Sequence, residues 1–394
     1  MIAENLRHLR VFLAVAECGS VTQAAARCYV SQPAVTQAIN KLETLSDRPL
    51  FQRSPQGFFP TEAGEILRRR AVRAFALIDP ALAEIAPRLP RIATRPQLKA
   101  LVATNETRNF TLAARVLGVS QPTVHRAIAQ LEREAAQPLF RRSPQGVMPT
   151  RASTALARAA RLAFAELAQA EAELGDLAGR EVGRIVIGAT PLARSHILPR
   201  AFAAFRANRP RLGIKVLDGP YSELLAGLRR GEVDFLVGAL RDPVPVEDVV
   251  QEPLFEDRLV VLAGAEHPLL AAPPDVAQLA AWPWLVPREN TPTRVQFDAM
   301  FDAAGIARPE SLIETGSVVL MREMVQDGRH LACVSRLQAM GEVSRGMVRA
   351  LSIEVPGRSR PIGLTFRTDW QPTPAQSQLI AAMRAVEGAK ASPP

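Results

Sequence analysis

The sequence predicts a multi-domain protein in which two small helical domains, each ending in a β-hairpin, precede a larger α/β domain. Three observations predict this organisation. A stretch of 53 residues recurs near the N-terminus, the excess positive charge lies in the same region, and after residue 183 strands and helices alternate. At 394 residues the chain is long enough for two or three domains.

The recurring stretch appears when the chain is offset by 89 residues without gaps. Residues 9–61 then align with residues 98–150, and 25 of the 53 positions are identical. The densest shared blocks are Val-Ser-Gln-Pro (30–33 and 119–122), Pro-Leu-Phe (49–51 and 138–140) and Arg-Ser-Pro-Gln-Gly (53–57 and 142–146). Two copies are too few for a solenoid, which needs at least three stacked units, so each copy is predicted to be a small domain.

Each copy has the pattern of three helices followed by a hairpin. Copy one opens with apolar residues at amphipathic-helix spacing: Leu9, Phe12, Leu13 and Ala16. Thr22 is predicted to cap a second helix over residues 23–28, and Ser31 a third that runs to about Leu45 with Pro33 in its first turn. Residues 49–51 predict a short strand, and residues 53–59 a β-hairpin wing. Together these elements form a helix–turn–helix with a wing.

The charge agrees with a polyanion partner. The chain has 48 Lys and Arg against 39 Asp and Glu, a formal net charge of +9. Residues 1–180 hold 24 basic and 15 acidic residues, whereas residues 181–394 hold 24 of each, so the whole excess lies in the N-terminal part. Concentrated positive charge favours phosphate contacts, although charge alone is equally compatible with a solvated surface.

The third helix of each copy carries the candidate base-reading residues, because in a helix–turn–helix its N-terminal part enters the major groove. Glutamine can pair with adenine and arginine with guanine through two hydrogen bonds. The alternative for these polar residues is an ordinary solvated helix face. The exposed face is predicted to present Gln32, Thr36, Gln37, Asn40 and Lys41 in copy one, and Gln121, Thr123, His125, Arg126 and Gln130 in copy two.

Several blocks resemble the N-terminal winged helix–turn–helix of LysR-type transcriptional regulators. They are Ser-Val-Thr-Gln-Ala-Ala (20–25), Val-Ser-Gln-Pro-Ala-Val-Thr (30–36), Leu42-Glu43, Pro-Leu-Phe-Gln-Arg (49–53) and Thr-Glu-Ala-Gly (61–64). The resemblance implies a DNA-binding domain, a linker helix used in dimerisation, and a two-lobed effector domain similar to periplasmic binding proteins. It implies DNA contacts by Gln32, Pro33, Thr36, Gln37 and wing Arg53, and in copy two by Gln121, Pro122, His125, Arg126 and wing Arg142.

The chain departs from the family plan by carrying the DNA-binding unit twice. Copy two has Thr-Arg-Ala-Ser (150–153) in place of Thr-Glu-Ala-Gly. Copy one has Thr36-Gln37 where the family usually has Ser-Arg, and copy two has His125-Arg126, so the copies are not expected to read identical bases. The resemblance implies double-stranded DNA, a small-molecule effector and further copies of the chain (dimer or tetramer) as partners, with RNA polymerase as an additional candidate.

The predicted domains are helix–turn–helix copy one (1–61), a linker helix with a Pro-containing connector (62–94), copy two (95–150), a second linker helix (151–180) and the effector domain (181–394). Lobe I is predicted at about 181–262 and 347–394, and lobe II at about 263–346. The first linker helix is predicted over Glu62–Ile78 with a break at Pro80, and the second over Arg151–Leu177, closed by Gly175 and Gly179.

Two assemblies of the linker helices stay open at this point. They can pair within one chain as a pseudo-dimeric head, so that a dimer of chains presents four DNA-binding units. Alternatively, the 151–177 helix can dimerise between chains and leave copy one as an appendage.

In the effector domain, three strand-to-helix junctions share a hydroxyl residue followed by a helix start: Thr190-Pro191, Thr291-Pro292-Thr293 and Thr315-Gly316-Ser317. Such helix N-termini present free N–H groups to anions, and in open α/β folds they face the ligand cleft, although Thr and Ser are good caps for any helix. The family resemblance implies an organic acid, an aromatic catabolite, an amino acid or a sugar as the effector, and the junctions favour an acid. The predicted effector-binding residues are Thr190, Leu192, Arg194, Ser195, Gly238, Leu240, Thr291, Thr293, Arg294, Ser317 and Val318.

Other classes of protein fit less well. No apolar run approaches the ~18 residues of a membrane span and no secretory signal is visible, so we expect a cytoplasmic protein. The five histidines lack metal-ligand spacing, and nucleotide-binding or nucleophile motifs are missing, so we predict no catalytic residue, metal or cofactor. An architectural DNA-binding protein and, less favoured, a substrate-binding α/β enzyme are the remaining alternatives.

Overall fold

The computed structural model describes residues 2–144, 146–356 and 359–386, which form two compact units. The first unit contains residues 2–184 together with 230–232, and the second contains the rest. Gln145 at the tip of the second hairpin and residues 387–394, which include the predicted end of the last helix at Glu387, lie outside the described residues. No helix within these ranges is long and apolar enough to cross a membrane.

The first unit contains two sets of three helices and a hairpin, each followed by a long helix. A short helix, α5, connects the sets. The elements are α1 (Leu6–Cys18), α2 (Val21–Cys28), α3 (Gln32–Ser46), β1 (Phe51–Ser54), β2 (Gly57–Pro60), α4 (Glu62–Ile85), α5 (Leu89–Ile92), α6 (Arg95–Thr107), α7 (Phe110–Leu117), α8 (Gln121–Ala135), β3 (Phe140–Ser143), β4 (Gly146–Pro149) and α9 (Arg151–Leu177). One cluster of buried apolar residues runs through both sets and both long helices.

The two sets share their turns as well as their helices. The residues after the first, second and third helices have positive φ in both sets: Gly19, Tyr29 and Asp47 in the first, Arg108, Gly118 and Ala136 in the second. Both third helices begin with a serine cap, whose hydroxyl accepts the N–H of Ala34 (3.4 Å) or Thr123 (3.4 Å). The second helix of the first set is capped by Ser20 and begins at Val21, so the prediction that Thr22 caps it was wrong.

Both long helices differ from the sequence prediction, because α4 ends at Ile85 instead of Ile78 and Gly175 lies within α9. Helix α4 continues through Pro80, where we predicted a break. Pro80 and Ala76, whose carbonyl loses its helical donor, are both exposed, so solvent can satisfy that carbonyl. Gly175 does not end α9 but lies inside it. Glycine is needed at this position because an added Cβ would lie 1.9 Å from Val182 Cγ2.

Helices α4 and α9 pack against each other through a buried charge network. Arg70, 1% exposed, donates from Nη1 to Glu166 Oε2 (2.9 Å) and Gln169 Oε1 (2.6 Å), and from Nε to Glu173 Oε1 (2.9 Å). Arg69 also binds Glu173. Arg73 Nε donates to Glu166 Oε2 (3.1 Å), so residue numbers rise along one helix as they fall along the other. The two helices are therefore antiparallel.

The second unit contains two five-stranded sheets with helices on them. Its elements are β5 (Arg184–Ala189), α10 (Leu198–Asn208), β6 (Gly213–Leu217), α11 (Tyr221–Arg229), β7 (Phe235–Ala239), β8 (Val249–Asp257), β9 (Leu259–Ala263), α12 (Val276–Ala280), β10 (Trp284–Val286), α13 (Pro292–Ala304), β11 (Leu312–Glu314), α14 (Val318–Val325), β12 (Leu331–Ser335), α15 (Arg336–Ser344), β13 (Arg349–Ala350), β14 (Arg360–Arg367) and α16 (Pro374–Arg384). The sequence pattern predicts one helix over Leu192–Asn208, but a π-helical turn, Ala193–Ile197, precedes α10.

The sheets define the two lobes. Lobe I has the strand order β6-β5-β7-β14-β8, with β5 parallel to β7 and β14 antiparallel to both its neighbours. Lobe II has the order β11-β10-β12-β9-β13, with β9 antiparallel to β12 and β13. Because β9 belongs to lobe II, the chain crosses between lobes at Arg258, a few residues before the predicted boundary. Strand β8 was not predicted, because its polar residues and Pro253 hide the strand pattern.

The Arg70 network makes a testable contribution to stability. In Arg70→Ala, Glu166 and Glu173 stay buried without their central cation, which costs about 3–5 kcal/mol. We expect a lower urea midpoint for the unfolding transition that includes the helical unit, measured by circular dichroism on the full chain. Arg68→Ala, which removes only a surface pair with Glu65, serves as the control and should change stability by less than about 1 kcal/mol. Equal effects of the two substitutions would contradict this account.

Candidate DNA interface and effector cleft

The third helix of the first set presents the predicted reading residues to solvent. Gln32, Pro33, Thr36, Gln37 and Lys41 are all exposed, while Val35, Ala38, Ile39 and Leu42 on the opposite side are buried. An open concavity of about 580 Å³ lies beside this face, lined by Val21, Gln32, Pro33, Thr36, Gln37 and Asn40. The helix therefore has one face in the core and one polar face free for a ligand.

The second set repeats this division with different side chains. Gln121, Pro122, His125 and Arg126 are exposed on α8, and Val124, Ile128 and Leu131 are buried beneath them. Phe110 and His125 occupy the positions of Val21 and Thr36, and their rings pack edge to face with centroids 5.5 Å apart. The two reading faces thus differ in shape as well as in chemistry.

A glutamate in each third helix holds the start of the wing. Glu43 Oε1 accepts the backbone N–H of Leu50 (2.8 Å) and of Phe51 (3.4 Å). Glu132 Oε1 accepts the equivalent groups of Leu139 (2.7 Å) and Phe140 (3.1 Å). These bonds satisfy strand N–H groups at a partly buried position and so fix the wing relative to the reading helix.

The wing arginines differ between the sets. Arg53 Nη2 donates to Asn40 Oδ1 (3.3 Å) and Glu43 Oε2 (3.4 Å) of α3. Arg142 is exposed, and within the described part of the chain it makes no ion pair. Both guanidinium groups remain at the surface, where they can contact phosphate.

Residues at the ends of the third helices connect each set to the other set's long helix. Arg48 Nη2 donates to the Leu177 carbonyl at the end of α9 (2.9 Å). Its counterpart Gln137 donates from Nε2 to the Ile85 carbonyl at the end of α4 (3.3 Å). Such reciprocal contacts are the signature of a two-fold arrangement, here made within one chain.

In lobe I the first predicted effector junction lies between β5 and β7. The N–H of Thr190 donates to the Val237 carbonyl (3.1 Å), and its hydroxyl points to the same carbonyl (3.5 Å). The Thr190 hydroxyl therefore turns to β7, while the Thr190 carbonyl accepts the Arg194 N–H (3.2 Å) at the start of the next helix. Its side chain packs on Gly238, where an added Cβ would lie 2.1 Å from Thr190 Oγ1.

The third junction, in lobe II, faces the first. Ser317 caps α14 by accepting the Leu320 N–H (3.2 Å), and Thr315 Oγ1 accepts the Ser317 N–H (3.0 Å). An added Cβ on Gly316 would lie 3.7 Å from Pro191 Cγ. The structure therefore brings these two junctions together across the gap between the lobes.

The second junction holds charges that are already neutralised. Thr291 caps α13 by accepting the Arg294 N–H (3.2 Å), as predicted. Arg294, 8% exposed, donates to Asp298 Oδ1 (2.9 Å) and Glu314 Oε1 (2.6 Å). Two carboxylates around one guanidinium leave no net positive charge there for an effector.

The remaining predicted residues are placed as follows. Leu192 is buried in the core of lobe I, and Leu240 donates its N–H to the Pro361 carbonyl (2.9 Å). Arg194 is paired with Asp218 (3.1 Å), and the Ser195 hydroxyl donates to the Pro191 carbonyl (2.8 Å). Val318 is half-buried at the start of α14.

Two cations near the crossover were missed by the sequence analysis. Arg360, 8% exposed, donates to Asp257 Oδ2 (3.1 Å) and to the hydroxyl of Thr293 in lobe II, and burial lowers its pKa although Asp257 opposes that shift. Arg241 lies over the Tyr221 ring (4.5 Å), and its pKa is lowered by burial and by the charge of Arg360. Arg360 and Asp257 are 103 positions apart, so no sequence spacing indicates that they pair.

The three cysteines are free thiols that differ in burial. Cys333 is fully buried, and burial raises the pKa of its thiol to about 12. Cys28 aligns with Leu117 of the second set and is half-buried, and burial raises the pKa of its thiol as well. Among the described residues no group of His, Cys, Asp and Glu could hold a metal ion.

Comparison with known proteins identifies the family. Residues 6–65 and 96–154 each match the family described as "Bacterial regulatory helix-turn-helix protein, lysR family", and residues 178–387 match the "LysR substrate binding domain". The HTH-type transcriptional regulator GalR of Pseudomonas putida is 36% identical over 97% of both chains. This chain is a member of the LysR family. LysR-type regulators bind DNA, bind small effectors through the C-terminal domain and form oligomers, so the predicted class is confirmed and the chain is not an enzyme.

Other LysR relatives match a smaller part of the chain. The regulator PcaQ of Agrobacterium fabrum is 28% identical over 74% of this chain and 94% of its own. Full-length OxyR from Pseudomonas aeruginosa has a TM-score of 0.55 at 23% identity, covering 75% of this chain and 99% of its own. Full-length CbnR, solved with its target DNA, has a TM-score of 0.51 at 20% identity, covering 74% and 99%. These two structures support the fold.

The glutamate anchor of the wing predicts a graded effect on stability. Glu132→Ala leaves the N–H groups of Leu139 and Phe140 without an acceptor, which costs about 1–3 kcal/mol. Glu132→Gln keeps a carbonyl oxygen at the same place and should retain most of the stability. Urea unfolding of the full chain measures both variants, and equal losses for alanine and glutamine would show that the anchor does not act through these hydrogen bonds.

Proposed function

We propose that this LysR-type regulator applies two DNA-binding units from one chain to one operator, and that a small acidic effector between the lobes controls it. The pairing of α4 with α9 is the observation that carries the DNA part. It leaves both third helices with exposed polar faces and gives each unit the same relation to the other unit's linker helix. Two chains then present four units to DNA, in the cytoplasm.

The facing junctions support the effector part. Thr190 and Ser317 lie at strand ends opposite each other, and the N-terminus of α14 offers backbone N–H groups to an anion. Arg241 follows the end of β7 that holds Gly238, and the charge of Arg360 reaches it. Because Arg194, Arg294 and Arg360 are already paired with carboxylates, we assign the positive charge for an acidic effector to Arg241.

The DNA arrangement is tested by footprinting combined with mass measurement. The full chain is used to select duplexes from a random-sequence library, and the complex is analysed by hydroxyl-radical cleavage and light scattering. We expect four protected half-sites for every two chains, because each chain contributes two units. A complex of two chains that protects two half-sites would contradict the proposal, since copy one or copy two would then be idle.

The effector site is tested with a variant that keeps side-chain shape. We expect carboxylates rather than neutral sugars to raise the melting temperature in a thermal-shift panel. Thr190→Val removes one polar atom without changing the packing on Gly238 and should weaken the best carboxylate about 10–100-fold, measured by calorimetry. Ser344→Ala removes an exposed hydroxyl from α15 and serves as the control. Stabilisation by sugars alone, or equal affinity of both variants, would contradict the proposal.

A further inference from the structure

The two reading faces joined in one chain are chemically different. At an offset of 89 residues, Gln32 and Gln121 are identical, but Thr36 and Gln37 correspond to His125 and Arg126. Gln37 can pair with adenine through two hydrogen bonds, and Arg126 can pair with guanine O6 and N7. We infer that each chain reads an asymmetric pair of unlike half-sites, of which only one carries the guanine read by Arg126; this inference rests on the proposed function.

The surfaces around Thr36 and its counterpart His125 also differ in shape between the two units. In the first unit Thr36 borders the open concavity lined by Val21, so a thymine methyl group can approach the helix there. In the second unit the rings of Phe110 and His125 occupy the equivalent positions and pack on each other. A single base pair cannot fit both environments equally well at this position.

The asymmetry also requires that a copy-one unit always pairs with a copy-two unit. The charge network between α4 and α9 favours this pairing. The cations lie on α4 (Arg69, Arg70 and Arg73) and the carboxylates on α9 (Glu166 and Glu173). At the offset of 89 residues, Leu77, Pro80 and Glu84 of α4 correspond to Glu166, Gln169 and Glu173 of α9. If α4 paired with α4 of a second copy, these three residues would surround Arg70, and Glu84 would be the one carboxylate among them. Such a pair buries arginine with too few acceptors.

Pairing of α9 with a second α9 fails for the complementary reason. At the same offset, Arg70 and Arg73 of α4 correspond to Ala159 and Leu162 of α9. Of the three network arginines, only Arg69 has a basic counterpart in α9, which is Arg158. Glu166 and Glu173, both about 95% buried in the observed pair, would lose the central guanidinium between them. Since both like pairs are penalised, each reading pair contains one unit of each kind.

The test is selection of duplexes from a random-sequence library by the full chain, followed by sequencing. We expect one enriched motif for each bound chain, made of two unlike half-sites in a fixed relative orientation, so that a duplex bound by two chains contains this motif twice. Both half-sites share the base pair read by Gln32 and Gln121, and one contains guanine next to it. Enrichment of a palindrome with identical half-sites, or of a single half-site, would overturn the inference while the chain still binds DNA specifically. No enrichment of any duplex would instead overturn the proposed DNA function.

Two variants assign the half-sites. Arg126→Gln should lower affinity for the selected duplex about 10–100-fold and relax the guanine preference in one half-site only. Gln37→Arg should introduce guanine into the other half-site and make the selected motif more symmetric. Arg115→Gln removes the same charge from exposed α7 and should weaken all duplexes alike without changing the motif. A loss of guanine preference in both half-sites of the Arg126→Gln motif, or an unchanged motif in Gln37→Arg, would overturn the assignment.

Discussion

The buried guanidinium of Arg70 is the constraint on which the helical half of this regulator depends. An arginine that is 1% exposed is tolerated only where carboxylates surround it, and both of its carboxylates come from the other long helix. The network therefore fixes the antiparallel direction of α4 and α9 and their register along each other. Apolar contacts between these helices would be compatible with several registers, because alanine and leucine pack in any of them.

From this pairing the positions of the reading helices follow. Each linker helix begins directly after a wing, and a glutamate of the third helix binds the start of that wing. The register of α4 on α9 therefore determines the positions of both third helices. The reciprocal bonds of Arg48 and Gln137 to the ends of the opposite linker helices fix the same geometry a second time. A symmetric architecture thus results from a charge network that is itself asymmetric.

Sequence reasoning succeeded where the signal is local and failed where it is not. The serine caps of α3 and α8 and the buried faces of those helices follow from residues a few positions apart, and the repeat is visible as a direct sequence match at an offset of 89 residues. Pro80 was misjudged because whether a proline breaks a helix depends on which side faces solvent, and that is decided by the partner helix. The pairs Arg70–Glu173 and Arg360–Asp257 each join residues 103 positions apart, and no periodicity connects them. Strand β8 was missed because its own residues show no clear strand pattern. It forms by antiparallel pairing with β14, which lies about 100 residues later in the chain.

Joining unlike units in one chain changes what the reading faces can become. In a pair of identical units, any substitution at a base-reading position alters both half-sites at once, so the operator must remain symmetric. Here a substitution at Gln37 leaves Arg126 unchanged, and the segregated charges of α4 and α9 prevent exchange into like pairs. In the operator proposed above, the two half-sites of one chain can therefore diverge one base pair at a time, and each mismatch costs about 1–3 kcal/mol in one half-site only. The charge network that holds the helices together is, by this argument, also what allows their reading faces to differ.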